Sequence, residues 1–230
     1  MPRRAAAYHL TARDLAILRW VGRGGIAAES QLSNRFWPGC RATTAHDRLR
    51  QLVKTDYLAR HICDARRPGE VVYTLTPPGR RLFPPAEQRT LQAGLPTASA
   101  IRQQLVAQDA YLYLEQEAHA QGGHLVAWQG EAALRSAFYR AAHAGKRQAR
   151  AARMTAIPDA QVQIAGADGR MWTCDVEIDG QYHGQMLRQK LDRCGTGGRP
   201  TLWICTAPRR AAHIRQAAAC YPNIRVIALA

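Results

Sequence analysis

The chain has 230 residues, 47% of them hydrophobic, which is enough to form one large core or two small ones and excludes general disorder. Lysine and arginine number 32 against 17 aspartates and glutamates, so the formal net charge is +15. This charge favours a polyanionic partner, and nucleic acid is the class that we expect. A general solubility trait is the alternative, because arginine greatly outnumbers lysine.

The sequence contains no signal for membrane insertion or secretion. No apolar stretch approaches the roughly 20 residues needed to span a bilayer. The N-terminal sequence MPRRAAAYHL lacks the apolar core of a signal peptide. We therefore expect a cytoplasmic protein that makes no membrane contact.

A stretch near the middle of the chain divides it. The sequence FPPAEQRTLQAGLPTASA is poor in large apolar residues and rich in proline near both ends, which is typical of a linker. We predict a first domain over residues 8–83, a linker over 84–98 and a second domain over 99–230. A fragment ending near Leu91 is expected to fold by itself.

The first domain has the pattern of three helices followed by a hairpin. Thr11 and Asp14 have the spacing of a capping box, and the helix that they open ends at a run of glycines. A second helix ends before Pro38, and a third covers RATTAHDRLRQLVK, with apolar residues at helical spacing. The strands YLARHI and VVYTL then flank the arginine-bearing turn CDARRPGE.

This order of elements resembles the winged helix-turn-helix family, and LTPPGRRLF resembles the ending of many winged-helix regulators. The resemblance implies that the third helix enters the major groove of double-stranded DNA while the turn contacts the backbone or the minor groove. The DNA-binding residues that it implies are Arg41, Thr43, Thr44, His46, Arg48, Arg50 and Gln51 in the helix, and Arg66 and Arg67 in the turn. A winged helix used only for protein contacts is the alternative.

The second domain alternates helices with apolar strands. A long helix over 99–121, the strand HLVAW and a helix at 131–145 precede a basic run of Lys146, Arg147, Arg150 and Arg153. Two strands joined by Asp168-Gly169 form a hairpin. A helix, an apolar strand, a second helix and a last strand follow. The pattern predicts an α/β domain with a mixed sheet, and hence an α+β chain as a whole.

The order of these elements resembles the core of the PD-(D/E)xK nuclease superfamily, which has the restriction-endonuclease-like fold. In that family an aspartate after proline and a D/E-x-K triplet share a divalent metal ion. Asp159 matches the first position and Glu177 the acid of the triplet, but Asp179 stands where the family has lysine. Lys190 is the nearest replacement. The resemblance implies Asp159 and Glu177 as Mg²⁺ ligands, and these two with Lys190 as catalytic residues, if the site is active.

Three carboxylates alternate along the second hairpin strand. Asp175, Glu177 and Asp179 share one face of a regular strand, because side chains repeat every second residue. They repel one another unless a metal ion or basic side chains neutralise them. Because the expected lysine is missing, we predict a nuclease-like domain that does not cut.

Both halves together resemble the replication-relaxation family of plasmid and integrative-element proteins. The resemblance rests on Pro-Asp-Ala, on valine, glutamate, a hydrophobic residue and aspartate in the next strand, on a helix with lysine, and on an apolar strand before Pro-Arg-Arg. It implies a role in plasmid replication or in relaxosome assembly for conjugation, beside a relaxase or replication initiator. The leading hypothesis is a sequence-specific DNA-binding accessory protein. A Mg²⁺-dependent DNA endonuclease targeted by its winged helix and a transcriptional repressor are the alternatives.

Overall fold

The computed structural model describes residues 9–143 and 157–229, so the predicted basic run from Lys146 to Arg153 lies outside the described residues. The chain divides between Leu105 and Val106 into two compact units, here called unit 1 and unit 2. Unit 1 has a three-stranded antiparallel sheet and unit 2 a five-stranded mixed sheet, each accompanied by helices. The predicted combination of helices with a mixed sheet is confirmed.

Unit 1 begins with three helices and a hairpin, as the sequence predicts. Its elements are α1 (Ala12–Gly24), β1 (Ala27–Ala28), α2 (Glu29–Phe36), α3 (Ala42–Lys54), β2 (Leu58–Cys63), β3 (Glu70–Leu75), α4 (Pro77–Arg81) and α5 (Pro85–Gln88). The strand order is β1-β3-β2. The short strand β1 was not predicted because two alanines carry no alternation that marks a strand.

The predicted capping box opens α1. The Thr11 hydroxyl accepts a hydrogen bond from the Asp14 amide at 3.2 Å, and the Asp14 carboxylate accepts one from the Thr11 amide at 2.6 Å. Gly25 ends the helix at a φ of +79°, a conformation that glycine adopts without strain. Ile17 and Val21 on the inner side of the helix are fully buried.

Residues after the hairpin continue to pack within unit 1. The side chain of Leu91 is buried against Gly22, whose carbonyl accepts a hydrogen bond from the Gln92 amide at 2.8 Å. Helix α6 (Ala98–Ala120) begins in unit 1, where Ile101 and Leu105 pack with a cluster of Ile26, Ala28 and Val72. The domain limits predicted at residues 83 and 99 stay predictions. The contacts nevertheless extend the core of unit 1 as far as Leu105.

Unit 2 contains the rest of α6 and a mixed sheet. Its further elements are β4 (His124–Gly130), α7 (Glu131–His143), β5 (Ala160–Ala165), β6 (Met171–Ile178), α8 (Gly184–Thr196), β7 (Thr201–Cys205), α9 (Pro208–Ala217) and β8 (Ile224–Ala228). The order is β4-β5-β6-β7-β8, antiparallel from β4 to β6 and parallel from β6 to β8. The predicted strands and helices of this unit are confirmed, with small shifts at their ends.

The sheet of unit 2 has helices on both faces. On one face, Val176 of β6 packs with Ala110 and Leu114 of α6. On the other face, Trp203 packs with apolar side chains of α8 and α9. Because side chains alternate along β6, Glu177 points to the face that α8 covers. No helix in the described ranges is both long enough and apolar enough to cross a membrane.

Candidate functional site

The three residues predicted for a nuclease-like site converge in unit 2. Asp159 lies just before β5, Glu177 lies in β6 and Lys190 lies in α8. The antiparallel pairing of Ala160 with Val176 brings the first two side by side. The Lys190 ammonium is 2.8 Å from Glu177 Oε2 and 3.9 Å from Asp159 Oδ2. One cation therefore bridges two carboxylates.

Burial sets the charges of this cluster. The side chains of Lys190 and Asp159 are each 12% exposed and that of Glu177 is 5% exposed. Burial raises the pKa of Asp159 to about 6, with Lys190 lowering that pKa and Glu177 raising it. Burial alone would lower the pKa of Lys190, but the carboxylates of Glu177 and Asp159 outweigh it and raise that pKa. At neutral pH, Lys190 carries its charge.

Further residues at this site could not be identified from the motif. Arg193 lies 3.6 Å from Glu177 Oε1, and the Cys194 thiol donates to the same oxygen at 3.7 Å. Burial and the Glu177 charge raise the pKa of Cys194 to about 12, so the thiol keeps its proton. Lys190 donates to the Tyr182 hydroxyl at 3.2 Å. Helical spacing from Lys190 is the signal that could have identified Arg193, whereas Tyr182 lies in a loop that gives none.

The other two carboxylates of the alternating set have basic partners of their own. Asp175 accepts hydrogen bonds from Gln161 at 3.0 Å and from Arg199 at 3.3 Å. Asp179 accepts two hydrogen bonds from Arg210, at 2.8 and 3.0 Å. The sequence left open whether a metal ion or basic side chains neutralise these carboxylates. The structure shows basic side chains next to them. Arg210 of α9 therefore pairs with Asp179, the position at which the nuclease resemblance predicts a lysine.

The carboxylate pair has a donor set that suits a hard divalent cation. Mg²⁺ is usually bound through one or two carboxylates, with waters and substrate phosphates completing its shell. Asp159 and Glu177 fit that description, and a bound Mg²⁺ would stabilise negative charge on a phosphate. No group of three or more His, Cys, Asp or Glu residues in the described ranges is arranged to hold a metal ion. The pair thus suits a cation shared with a phosphate and not a cage made of protein ligands alone.

The predicted DNA-contacting helix, α3, has one buried and one exposed side. Ala45, Leu49 and Leu52 are buried. The polar and charged side chains exposed on the remaining surface are Arg41, Thr43, Thr44, His46, Asp47, Arg50, Gln51 and Lys54. Seven of these eight are polar or basic groups without a negative charge, and Asp47 is the single acid. The helix therefore presents a largely basic and polar surface.

Arg48 differs from its neighbours because it is held by a buried acid. Its Nε donates to Asp14 Oδ1 at 2.7 Å, and its terminal nitrogen contacts the other oxygen of this fully buried carboxylate. Burial alone would raise the pKa of Asp14, but hydrogen bonds from Arg48 and Thr11 outweigh it and lower that pKa. The pair links α1 to α3, so Arg48 has a structural role in unit 1.

Three other predicted DNA-contacting residues also have acidic neighbours. His46 Nδ1 lies 3.1 Å from Glu29. Arg66 pairs with the buried carboxylate of Glu70, with its Nε 3.1 Å from one oxygen. Arg67 lies 3.6 Å from the same carboxylate, but its side chain is 62% exposed. Arg67 is therefore the more accessible of the two arginines in the hairpin turn.

Comparison with known proteins identifies the family. The family model described as replication-relaxation matches residues 18–193, which is more than half of the chain. The match includes α3 as well as Asp159, Glu177 and Lys190. A comparison with curated proteins finds no match. The chain belongs to the replication-relaxation family.

Proposed function

We propose that this protein binds double-stranded DNA through unit 1 in the replication or mobilisation of a plasmid or integrative element. Membership of the replication-relaxation family supports the process. A DNA-binding role fits the net charge of +15, because a basic protein gains affinity by releasing counterions from phosphates. We assign the protein an accessory role beside a relaxase or a replication initiator at an origin.

The exposed surface of α3 is the observation that carries the DNA-binding proposal. The order α1-β1-α2-α3-β2-β3 supports a winged helix-turn-helix, in which the third helix reads the major groove. Arg50 and Thr43 lie on the side of α3 opposite its buried residues, where they can reach base edges. Arg67 in the hairpin turn is suited to the phosphate backbone.

A binding assay with matched variants tests this proposal. We would first footprint the protein on the DNA that flanks its own gene, where origins and operators commonly lie. Arg50→Ala should then weaken binding to the protected site. Arg89→Ala removes an equal charge from an exposed position of unit 1 outside α3 and should leave binding unchanged. Failure of the wild-type chain to protect or retain any duplex would refute the proposal.

A second candidate function, metal-dependent DNA cleavage in unit 2, is favoured by the distances between Lys190 and the two acids. The element order of unit 2 supports a restriction-endonuclease-like fold. Asp159 and Glu177 would hold the cation, and the charged Lys190 ammonium would stabilise an attacking water or a phosphate oxygen. Asp179 stands where the PD-(D/E)xK nuclease superfamily has a lysine. This difference supports the opposite role, a nuclease-like frame that holds DNA without cutting it.

Plasmid nicking separates these two roles for unit 2. Supercoiled plasmid would be incubated with the protein and Mg²⁺ or Mn²⁺, beside Glu177→Gln, Lys190→Met and the control Asp175→Asn. Cleavage that disappears in the first two variants and persists in the control would establish a nuclease. An uncut plasmid that is still shifted in a gel would show that the protein binds DNA without cutting it. DNA binding by unit 1 is compatible with either outcome.

A further inference from the structure

The last part of unit 2 has a strongly one-sided charge. Residues 181–229 contain eight lysines and arginines and a single acid, Asp192. Residues 106–180 contain seven basic residues and nine acids, so within unit 2 the basic excess is confined to this last part. Even Asp192 is engaged, because it accepts a hydrogen bond from the Tyr221 hydroxyl. Hardly any negative charge is therefore present in the segment that forms α8, β7, α9 and β8.

Half of these basic residues neutralise the carboxylates described above. Lys190 and Arg193 pair with Glu177, Arg199 with Asp175 and Arg210 with Asp179. The other four basic residues are Arg188, Arg209, Arg215 and Arg225. All four are exposed, and none has a hydrogen bond or ion pair with any residue in the two described ranges. Packing within unit 2 therefore does not explain these charges.

Three of the four belong to the pair of helices on one face of the sheet. Arg188 lies in α8, and Arg209 and Arg215 lie in α9. We call the exposed surface of α8 and α9 that carries these three arginines the α8–α9 layer. The apolar residues of both helices, such as Leu191 and Ile214, are buried against Trp203 of the sheet. Arg225 lies in the edge strand β8 and is not counted in the layer.

We propose that the α8–α9 layer binds the phosphate backbone of DNA. This inference rests on the proposed DNA-binding function and adds a second contact surface, in unit 2. Arg188 and Lys190 both belong to α8, so the layer and the cluster of Glu177 and Lys190 share one helix. Guanidinium groups are well suited to phosphate, and the contact carries no base specificity.

An anionic membrane is a poorer match for this surface. A helix that lies in a membrane interface inserts an apolar face. The apolar residues Leu187 and Leu191 of α8 and Ile214 of α9 are instead buried against the sheet. Among the described residues of these two helices, Met186 is the one large hydrophobic side chain that is exposed. The chemistry of the layer therefore favours a polyanion that needs no insertion.

The test uses the full chain and a DNA duplex of arbitrary sequence. The triple variant Arg188→Ala, Arg209→Ala, Arg215→Ala should bind this duplex about 10-fold or more weakly near physiological salt, measured by fluorescence anisotropy. The slope of log K against log salt concentration should fall by about 0.9 for each phosphate that the variant no longer neutralises. Replacing the same three arginines with lysine should largely preserve that slope, because the charge remains.

The matched control removes the same charge from other surfaces of unit 2. Arg135→Ala, Arg140→Ala, Arg170→Ala should leave both the affinity and the slope near the wild-type values. Equal weakening in both triple variants would contradict DNA binding by the α8–α9 layer. The proposal that the protein binds DNA through unit 1 would not be affected. If the alanine variant fails to fold, the corresponding glutamine variant provides the same comparison. A wild-type chain that binds no duplex would refute the proposed DNA-binding function. A wild-type chain that binds phosphatidylserine vesicles more tightly than duplex would contradict the assignment of the α8–α9 layer to DNA.

Discussion

Lys190 Nζ lies 2.8 Å from Glu177 Oε2 and joins helix α8 to strand β6 in the interior of unit 2. The same ammonium is 3.9 Å from Asp159 Oδ2, so it holds together the two acids that the nuclease resemblance singles out. Removal of such a cation leaves buried negative charge uncompensated, which is more costly than loss of a surface ion pair. The cluster therefore has consequences for stability as well as for chemistry.

Lys190→Met should lower the free energy of unfolding by about 3 kcal/mol, because Glu177 is left buried and Arg193 is its one remaining cationic partner among the described residues. Urea unfolding followed by circular dichroism measures the loss. The double variant Lys190→Met, Glu177→Gln should lose less than the sum of the two single variants, since each single variant leaves the other member of the ion pair behind and the double variant removes both. Lys54→Met on exposed α3 is the control. Strict additivity would contradict the ion pair.

The stability of the protein should depend on the charge of Asp159. Its folded pKa of about 6 exceeds its unfolded value of 3.8, so the folded state binds the proton more tightly. This contribution to stability is fully present below the unfolded pKa and is lost as pH rises through about 6. Asp159→Asn cannot titrate and can still accept the hydrogen bond from the Ile178 amide.

The unfolding free energy of wild type minus that of Asp159→Asn should therefore fall between about pH 4 and pH 6 and stay level above that range. Urea unfolding of both proteins over this pH series measures the difference. Subtracting the variant removes the contributions of the other titrating groups. A difference that stays level across this window would show that the folded pKa of Asp159 is not raised.

Arg48 and Arg50 should behave differently although both belong to α3. Arg48→Ala should reduce stability by about 3 kcal/mol, because it leaves the fully buried carboxylate of Asp14 without its cation. Arg50→Ala should leave stability unchanged and weaken binding to the footprinted DNA by about 1 to 3 kcal/mol if Arg50 contacts a base edge. Thermal unfolding and anisotropy measure the two effects. Loss of stability in both variants would contradict the assignment of a structural role to Arg48 and a DNA-binding role to Arg50.

Two fragments test how far the core of unit 1 extends. A fragment ending after Leu105 should unfold cooperatively, because Ile101 and Leu105 cover Ile26 and Val72. The Leu105 carbonyl also accepts a hydrogen bond from Gln31 at 2.8 Å. A fragment ending after Leu91 exposes this cluster and should be less stable by about 3 kcal/mol or more. Equal midpoints in urea would show that the core ends before α6.

Local sequence patterns determined the order and type of most elements in both units. Alternating and helical periodicities depend only on near neighbours, so the strands AQVQIA and MWTCDVEI and the helix ATTAHDRLRQLVK could be identified by inspection. The capping box of Thr11 and Asp14 is local in the same sense. Family resemblance then selected Asp159 and Glu177, because each stands in a recognisable local motif.

Only the tertiary structure decided which side chains meet. Lys190 contacts Glu177 because α8 packs across β6, and Arg48 contacts Asp14 because α3 packs near α1. Ion pairs of this kind join residues far apart in sequence, and no short spacing indicates them. The sequence by itself determined that the second hairpin strand of unit 2 carries three carboxylates on one face. Packing decided that basic side chains from α8, α9 and the loop before β7 neutralise them, because unpaired buried charges cost too much free energy to persist.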